Sequence, residues 1–177
     1  MINKFLAYEY AVRCFLQWKA ELNNSRLESV RLSKTQTLKL LFLVAAVPNN
    51  EGRDLLDIFN RFYAMQFGPV ESDILNCISD GKFCFLVRND SLLSVSSLGE
   101  DVFSSLNEEG VKQRIDQSVA NLRAKNQSLV RYPSTMLVDV THKWWCWKQT
   151  FHVARLLNRG SLLMSVESIR QSNKVFE

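Results

Sequence analysis

Few residues in this chain are of a type that does chemistry. Its histidines are His142 and His152, and its cysteines are Cys14, Cys77, Cys84 and Cys146. His142 and Cys146 stand four positions apart, which on one continuous helix would place both on the same face and within reach of one metal ion. Two ligands do not make a site, and His152 falls on a different helical face, so no metal is expected. A Cys146–His142 nucleophile pair would need thiolate and imidazole in contact plus an orienting group, for which Asp139 is placed. The thiol lies among Trp144, Trp145 and Trp147, where burial raises a thiol pKa and keeps it inert. The neighbouring carboxylates Glu108 and Glu109 precede Gly110 and read as a solvated loop. No glycine-rich phosphate loop is present. These residues predict neither an enzyme nor a bound cofactor.

The cysteines themselves read as structural. No pair has the two-residue gap of a zinc knuckle or redox motif, and Cys14, Cys77 and Cys84 sit beside Phe15, Ile78 and the pair Phe83 and Phe85. Free buried thiols packing as small hydrophobes are the expectation.

The elements that would position any site are mostly helical. Phe5, Tyr8, Val12, Phe15 and Leu16 recur at three- and four-residue steps, predicting a helix from Asn3 to Leu22. Ser33 and Gln36 form a capping box that opens a helix running to Val47, apolar on nearly every side after Lys39 and therefore destined for the core. Leu55, Leu56, Ile58, Phe59 and Phe62 predict a short third helix. Gly68-Pro69 predicts the start of a fourth, with Glu71 and Asp73 complementing its dipole, Val70, Ile74 and Ile78 inward and Gly81 as its stop. Phe83–Arg88 and Leu92–Ser96, joined through Asn89, Asp90 and Ser91, predict a hairpin. A second capping box at Ser97 and Glu100 precedes Val102, Phe103 and Leu106. Further helices follow around Val111–Asn126, from Tyr132-Pro133, through Leu157 up to Gly160, and over Val166–Asn173. The fold class is thus mainly α: a compact multi-helix domain with one small antiparallel β-hairpin, a winged-helix-like core being one arrangement of it. With no repeat and no linker, residues 1–177 are read as one domain.

Bulk properties narrow the partners. The chain has 46% hydrophobic and 23% charged residues, ordinary for a globular protein. Its longest apolar run, Leu40 to Val47, is far short of the ~18–20 residues a membrane span needs. With Glu9 and Arg13 interrupting any signal-like run, a cytoplasmic location is expected. The net charge of +4 is mild, but it is uneven. The first fifty residues hold seven basic and three acidic groups, while Glu51–Glu100 holds four basic and eight acidic. Three helices followed by a hairpin is the order of a winged helix, whose recognition helix would be Gly68–Ser79. That segment carries Glu71 and Asp73 and no Lys or Arg, the wrong sign for a phosphate-lined groove, so nucleic acid is not the expected partner.

The stretch Thr37-Leu38-Lys39-Leu40-Leu41-Phe42-Leu43, the block Phe62-Tyr63-Ala64-Met65-Gln66-Phe67-Gly68-Pro69-Val70-Glu71-Ser72-Asp73, and the late Thr141-His142 trailed by Trp147 occur in that order. Together they resemble the Panacea antitoxin domain, also called the SocA-like or phage-associated GepA-like domain, over about Ser33 to Trp147. Met65 stands where that family has tryptophan and Phe67 where it has tyrosine, and the Trp144-Trp145 pair is a departure. The resemblance implies a non-catalytic antitoxin that binds and blocks a small co-encoded toxin, in one relative as an adaptor delivering the toxin to a protease. The partner-binding residues it suggests are Met65, Phe67, Gly68, Pro69, Glu71, Asp73, His142 and Trp147. Core packing is the plainer account of Trp147, and helix-bridging hydrogen bonds that of His142. An anionic patch of Glu51, Asp54, Asp57, Glu71 and Asp73 would attract a cationic toxin. The alternative is a winged-helix-like DNA-binding transcriptional regulator.

Overall fold

The structure, a computed structural model, describes residues 2–97, 99–108 and 110–177. Two long helices form its centre. The first, α1 (Lys4–Asn23), begins where the Asn3 side chain accepts from Leu6 N and ends at Asn24 in the left-handed region. The second, α2 (Lys34–Ala46), follows a two-residue strand, β1 (Leu32–Ser33), and opens on the capping box of Ser33 and Gln36. The apolar faces seen in the sequence are largely inside: Tyr8, Val12, Phe15 and Leu16 of α1 and Leu40–Val44 of α2 are buried, but Phe5, in the first turn of α1, is exposed. α2, with no polar face to offer, is covered by α1 and by segments 68–71, 111–125 and 134–142.

The segment after Pro48 does not form the expected third helix. Leu55, Leu56, Ile58 and Phe59 are buried, but only as a set of turns. Asn49 Oδ1 accepts from Glu51 N and Arg53 N, and Asp54 Oδ1 accepts from Leu56 N, diverting amides that a helix would need. Phe62 then starts a strand, β2 (Phe62–Met65), which turns back into β3 (Gly68–Glu71). Gly68-Pro69 therefore opens a strand and not a helix. At φ +94° Gly68 cannot enter a helix, and Pro69 is accommodated because β3 lies at an edge of its sheet. The helix begins later, as α3 (Ser72–Asp80), with Glu71 as its N-cap and Gly81 as its left-handed stop.

The expected hairpin is β4 (Leu86–Asn89) and β5 (Leu92–Val95), turning at Asp90 with φ +53°. It does not stand alone. β1 pairs with β5, giving the antiparallel order β1-β5-β4. A second three-stranded sheet, β3-β2-β6, is completed by the late strand β6 (Leu162–Leu163), whose Leu163 faces Tyr63. Ser97 is not a helix cap: the 3-10 turn Glu100–Phe103 is capped by Gly99 and leads into α4 (Ser104–Glu108). Glu109, one of the carboxylates read as a loop, lies outside the described residues. The remaining helices are α5 (Val111–Lys125), α6 (Ser134–His142), α7 (Trp145–Leu156) and α8 (Val166–Gln171). The architecture is mainly α with small antiparallel sheets, and its first half runs α1-β1-α2-α3-β4-β5, the order of a winged helix with β2–β3 inserted. No helix among the described residues is long and apolar enough to cross a membrane.

Candidate functional site

The three sequence blocks that carry the family resemblance meet at one corner, beneath the turn from β2 to β3. Lys39, from the middle of α2, is 1% exposed and donates from Nζ to Pro69 O at 3.0 Å. No carboxylate among the described residues is bonded to it, and burial lowers its pKa to about 7. Thr141, near the end of α6, is fully buried and donates from Oγ1 to Val138 O. A Cβ placed on Gly68 would fall 2.6 Å from Thr141 Oγ1 and 3.2 Å from Lys39 Nζ. The glycine is thus required twice, by its positive φ and by the approach of two polar side chains.

His142 and Trp147 close the other side of the corner. Their rings stack at 3.9 Å between centroids, Trp147 stacks in turn on Phe151, and Trp147 Nε1 donates to Met65 O at 3.0 Å. His142 is held below the usual imidazole pKa mainly by burial, then by the charge of Lys39, with a hydrogen bond to the Gln66 backbone acting the other way. Its Nε2 is buried without a partner. The turn residues Met65 and Gln66 are therefore tied down from below by Trp147 and His142, while Phe67 at the tip is 66% exposed. A groove of about 390 Å³ runs beside this tip, walled by Leu38, Met65, Phe67, Val70 and Leu75 and bordered by Gly160 and Ser161.

α6 ends at His142 and α7 starts at Trp145, so His142 and Cys146 do not share a helix. Cys146 is buried with its thiol pKa raised, and its amide donates to Ser172 Oγ. Among the described residues no cluster of His, Cys, Asp and Glu could hold a metal ion. All four cysteines are free, but Cys84 is exposed and Cys77 half-buried, against the expectation of buried thiols.

The anionic patch is also corrected. Glu71 is fully buried and faces inward: Oε2 accepts from Ile74 N, Oε1 accepts from Arg61 N, and Lys4 Nζ lies 2.8 Å from Oε1. Asp73 holds Lys4 and Arg61, Asp57 holds Arg114, and Asp54 holds Arg170. Even the exposed Glu51 lies 3.6 Å from Arg53. Four of these five acids are matched by a cation from a distant part of the chain and Glu51 by its neighbour Arg53, so among the described residues no free anionic rim surrounds the Gly68-Pro69 corner. Of the eight residues suggested as partner-binding, Gly68, Pro69, Glu71 and Trp147 are buried, and Met65, Asp73 and His142 are partly so. Phe67 alone of them is fully presented.

A surface that the sequence did not single out lies close by. Of the ten large apolar side chains left exposed among the described residues, six are Phe67, Trp145, Val153, Leu156, Leu157 and Leu163. They belong to the β2–β3 turn, α7, the turn after it, and β6, elements that pack on one another. Helical spacing was the available signal: the inward residues Cys146, Trp147 and Ala154 place Trp145, Val153 and Leu156 outward. No family model, curated protein or solved structure matches the chain.

Proposed function

We propose that this chain is a non-catalytic binding protein of antitoxin type, which neutralises a small co-encoded toxin by covering it. The observation that supports the reading is the exposed apolar surface of Phe67, Val153, Leu156, Leu157 and Leu163, standing on a rigid base. Isolated exposed leucines are ordinary, but a group on adjoining elements is the usual mark of a protein interface. The base is preorganised. The turn carrying Phe67 is fixed by Trp147, Lys39 and a glycine with no alternative residue, so little ordering cost falls on binding. Delivery of the bound toxin to a protease is a variant of the same role.

Co-expression with the adjacent reading frame tests the proposal. Growth arrest by the neighbour's product is expected to be relieved by the wild-type chain. The Phe67→Ala/Leu156→Ala variant should bind that product about 30-fold more weakly, roughly 2 kcal/mol at an interface centre. A neighbour that is harmless, or neutralisation with undiminished affinity in the variant, refutes the reading. For the adaptor variant, the toxin should disappear only in cells that contain the protease.

The winged-helix order of α1-β1-α2-α3-β4-β5 favours a second reading, a DNA-binding regulator. Against it, α3 carries Asp73 and Asp80 and no cation. Salt-dependent retardation of the chain's own upstream DNA would support that reading, since phosphate contacts release counterions.

A further inference from the structure

We infer that the partner is acidic: the face made by α7, the turn after it and β6 takes a protein segment whose aliphatic centre is flanked by carboxylates. This rests on the binding-protein reading above and deepens it, reversing the sign of the partner that the sequence suggested. From Val140 to Val166 the chain contains Lys143, Lys148, Arg155 and Arg159 and no Asp or Glu. Lys148, Arg155 and Arg159 are exposed, and among the described residues no ion pair neutralises any of them. Other cations of the chain do have carboxylate partners, Arg123 in Glu21 and Arg170 in Asp54.

The cations border the apolar group. Lys148 and Arg155, seven apart, form a stripe next to the one that carries Gln149, Val153 and Leu156, and Arg159 follows Leu157 in the turn. An apolar centre with a charged rim is the anatomy of a protein interface, and a rim of one sign selects a partner of the other. A polynucleotide would use the three cations and could stack a base on Trp145, but it gains nothing from Val153, Leu156, Leu157 and Leu163, which make up most of the face. A lipid surface suits the aliphatic side chains less well than a protein does. β6 is the last strand of its sheet, so backbone groups on its outer edge lack a strand partner, a cost in hydrocarbon that a polypeptide can relieve.

The test uses the full chain, isotopically labelled, titrated with a synthetic peptide of repeated Glu-Leu-Leu-Glu units. Parallel titrations use the same peptide with Lys for Glu, a duplex DNA, and phosphatidylglycerol vesicles. The acidic peptide is expected to shift the amide signals of residues 153–163 and to bind about tenfold more weakly to Arg155→Glu/Arg159→Glu, with the effect shrinking as salt is raised. A folded Leu156→Ala/Leu157→Ala variant should lose binding without the salt signature. The inference is overturned if the Lys peptide binds as well, if charge reversal leaves affinity unchanged, or if DNA or vesicles displace the acidic peptide from this face. Failure of the antitoxin role reads differently: the neighbouring product would then be unaffected while the acidic peptide still seats at 153–163. Neutralisation that survives Arg155→Glu/Arg159→Glu at full affinity removes the acidic-partner inference alone.

Discussion

Replacing Gly68 with alanine tests the corner most directly, because two separate costs can be assigned to it. At φ +94° any L residue is strained, and a sparsely populated backbone conformation costs about 1–3 kcal/mol. The new methyl would also lie 2.6 Å from Thr141 Oγ1, a contact that real structures do not show. Thr141 is buried in α6 and Lys39 in α2, so neither can simply swing away, and overpacking of this kind costs a further ~1–3 kcal/mol. The expected loss is therefore about 4 kcal/mol, and at ~2–4 °C per kcal/mol for a chain of this size, roughly 8–16 °C in Tm. Gly81 supplies the control. It has φ +67° with nothing within 4 Å of the added Cβ, so Gly81→Ala should cost only about 1 kcal/mol of backbone strain. Urea titrations of both variants, with scanning calorimetry, separate the two terms. Combining Gly68→Ala with Thr141→Ala should recover part of the loss, appearing as a coupling energy in a double-mutant cycle. Gly68→Ala and Gly81→Ala variants of equal stability would refute the account of the corner.

Three further outcomes are expected. Because burial lowers Lys39 to about 7, the unfolded chain holds one more proton than the folded chain between about pH 7 and its ordinary value of 10.5. Stability should therefore rise with pH through that window, by at most about 1.4 kcal/mol per pH unit from this group. Lys39→Met should abolish that increment in urea titrations at pH 7 and pH 9; an unchanged slope refutes it. Trp147→Phe removes the donor to Met65 O and should cost about 1 kcal/mol, with amide exchange at Gln66 and Phe67 accelerating, whereas unaltered exchange would show that the turn is held by other means. Glu71→Gln leaves Lys4, half-buried, with Asp73 as its charged partner and Asn60 as a neutral one, and weakens the cap of α3. A loss of about 2–3 kcal/mol in chemical denaturation is expected, and an unchanged midpoint would mean the pair contributes nothing.

The parts of the fold that could be read in advance are those set by local rules. The Ser33–Gln36 capping box, the stop at Gly81 and the turn at Asp90 each depend on a few neighbouring residues, and each occurs where the sequence places it. The errors arise where distant contacts decide. Leu55–Phe62 has helical spacing, but Asn49 holds the amides of Glu51 and Arg53 just ahead of it, Asp54 takes that of Leu56, and β3 takes Phe62. Gly68-Pro69 has the composition of a helix start, and only the approach of Thr141 and Lys39 reveals why glycine stands there. β6 was invisible because a two-residue strand has no periodicity to detect; it exists only through its pairing with Tyr63 and Ala64.

The same distinction explains why the candidate site moved. Carboxylates crowded between Glu51 and Asp73 suggested an anionic surface, yet charge density along a chain is not potential in space. Lys4 reaches Glu71 and Asp73, Arg114 reaches Asp57, and Arg170 reaches Asp54, each from far away in sequence. What remains unpaired near the exposed apolar group, among the described residues, is basic, and it lies on α7 and in the turn after it, a segment of which the sequence reading took only Trp147 and the Cys146 thiol as buried. Trp144, the extended residue before α7, is fully buried and Trp147 nearly so, while Trp145 is 60% exposed, because residues two apart on a helix point about 200° apart. The helix that stabilises the β2–β3 turn with one face thus presents Val153, Leu156 and Arg155 with the other. A substitution that damages only binding should therefore map to Trp145, Val153, Arg155 or Leu156, and one that damages folding to Trp144, Cys146, Trp147 or Ala154.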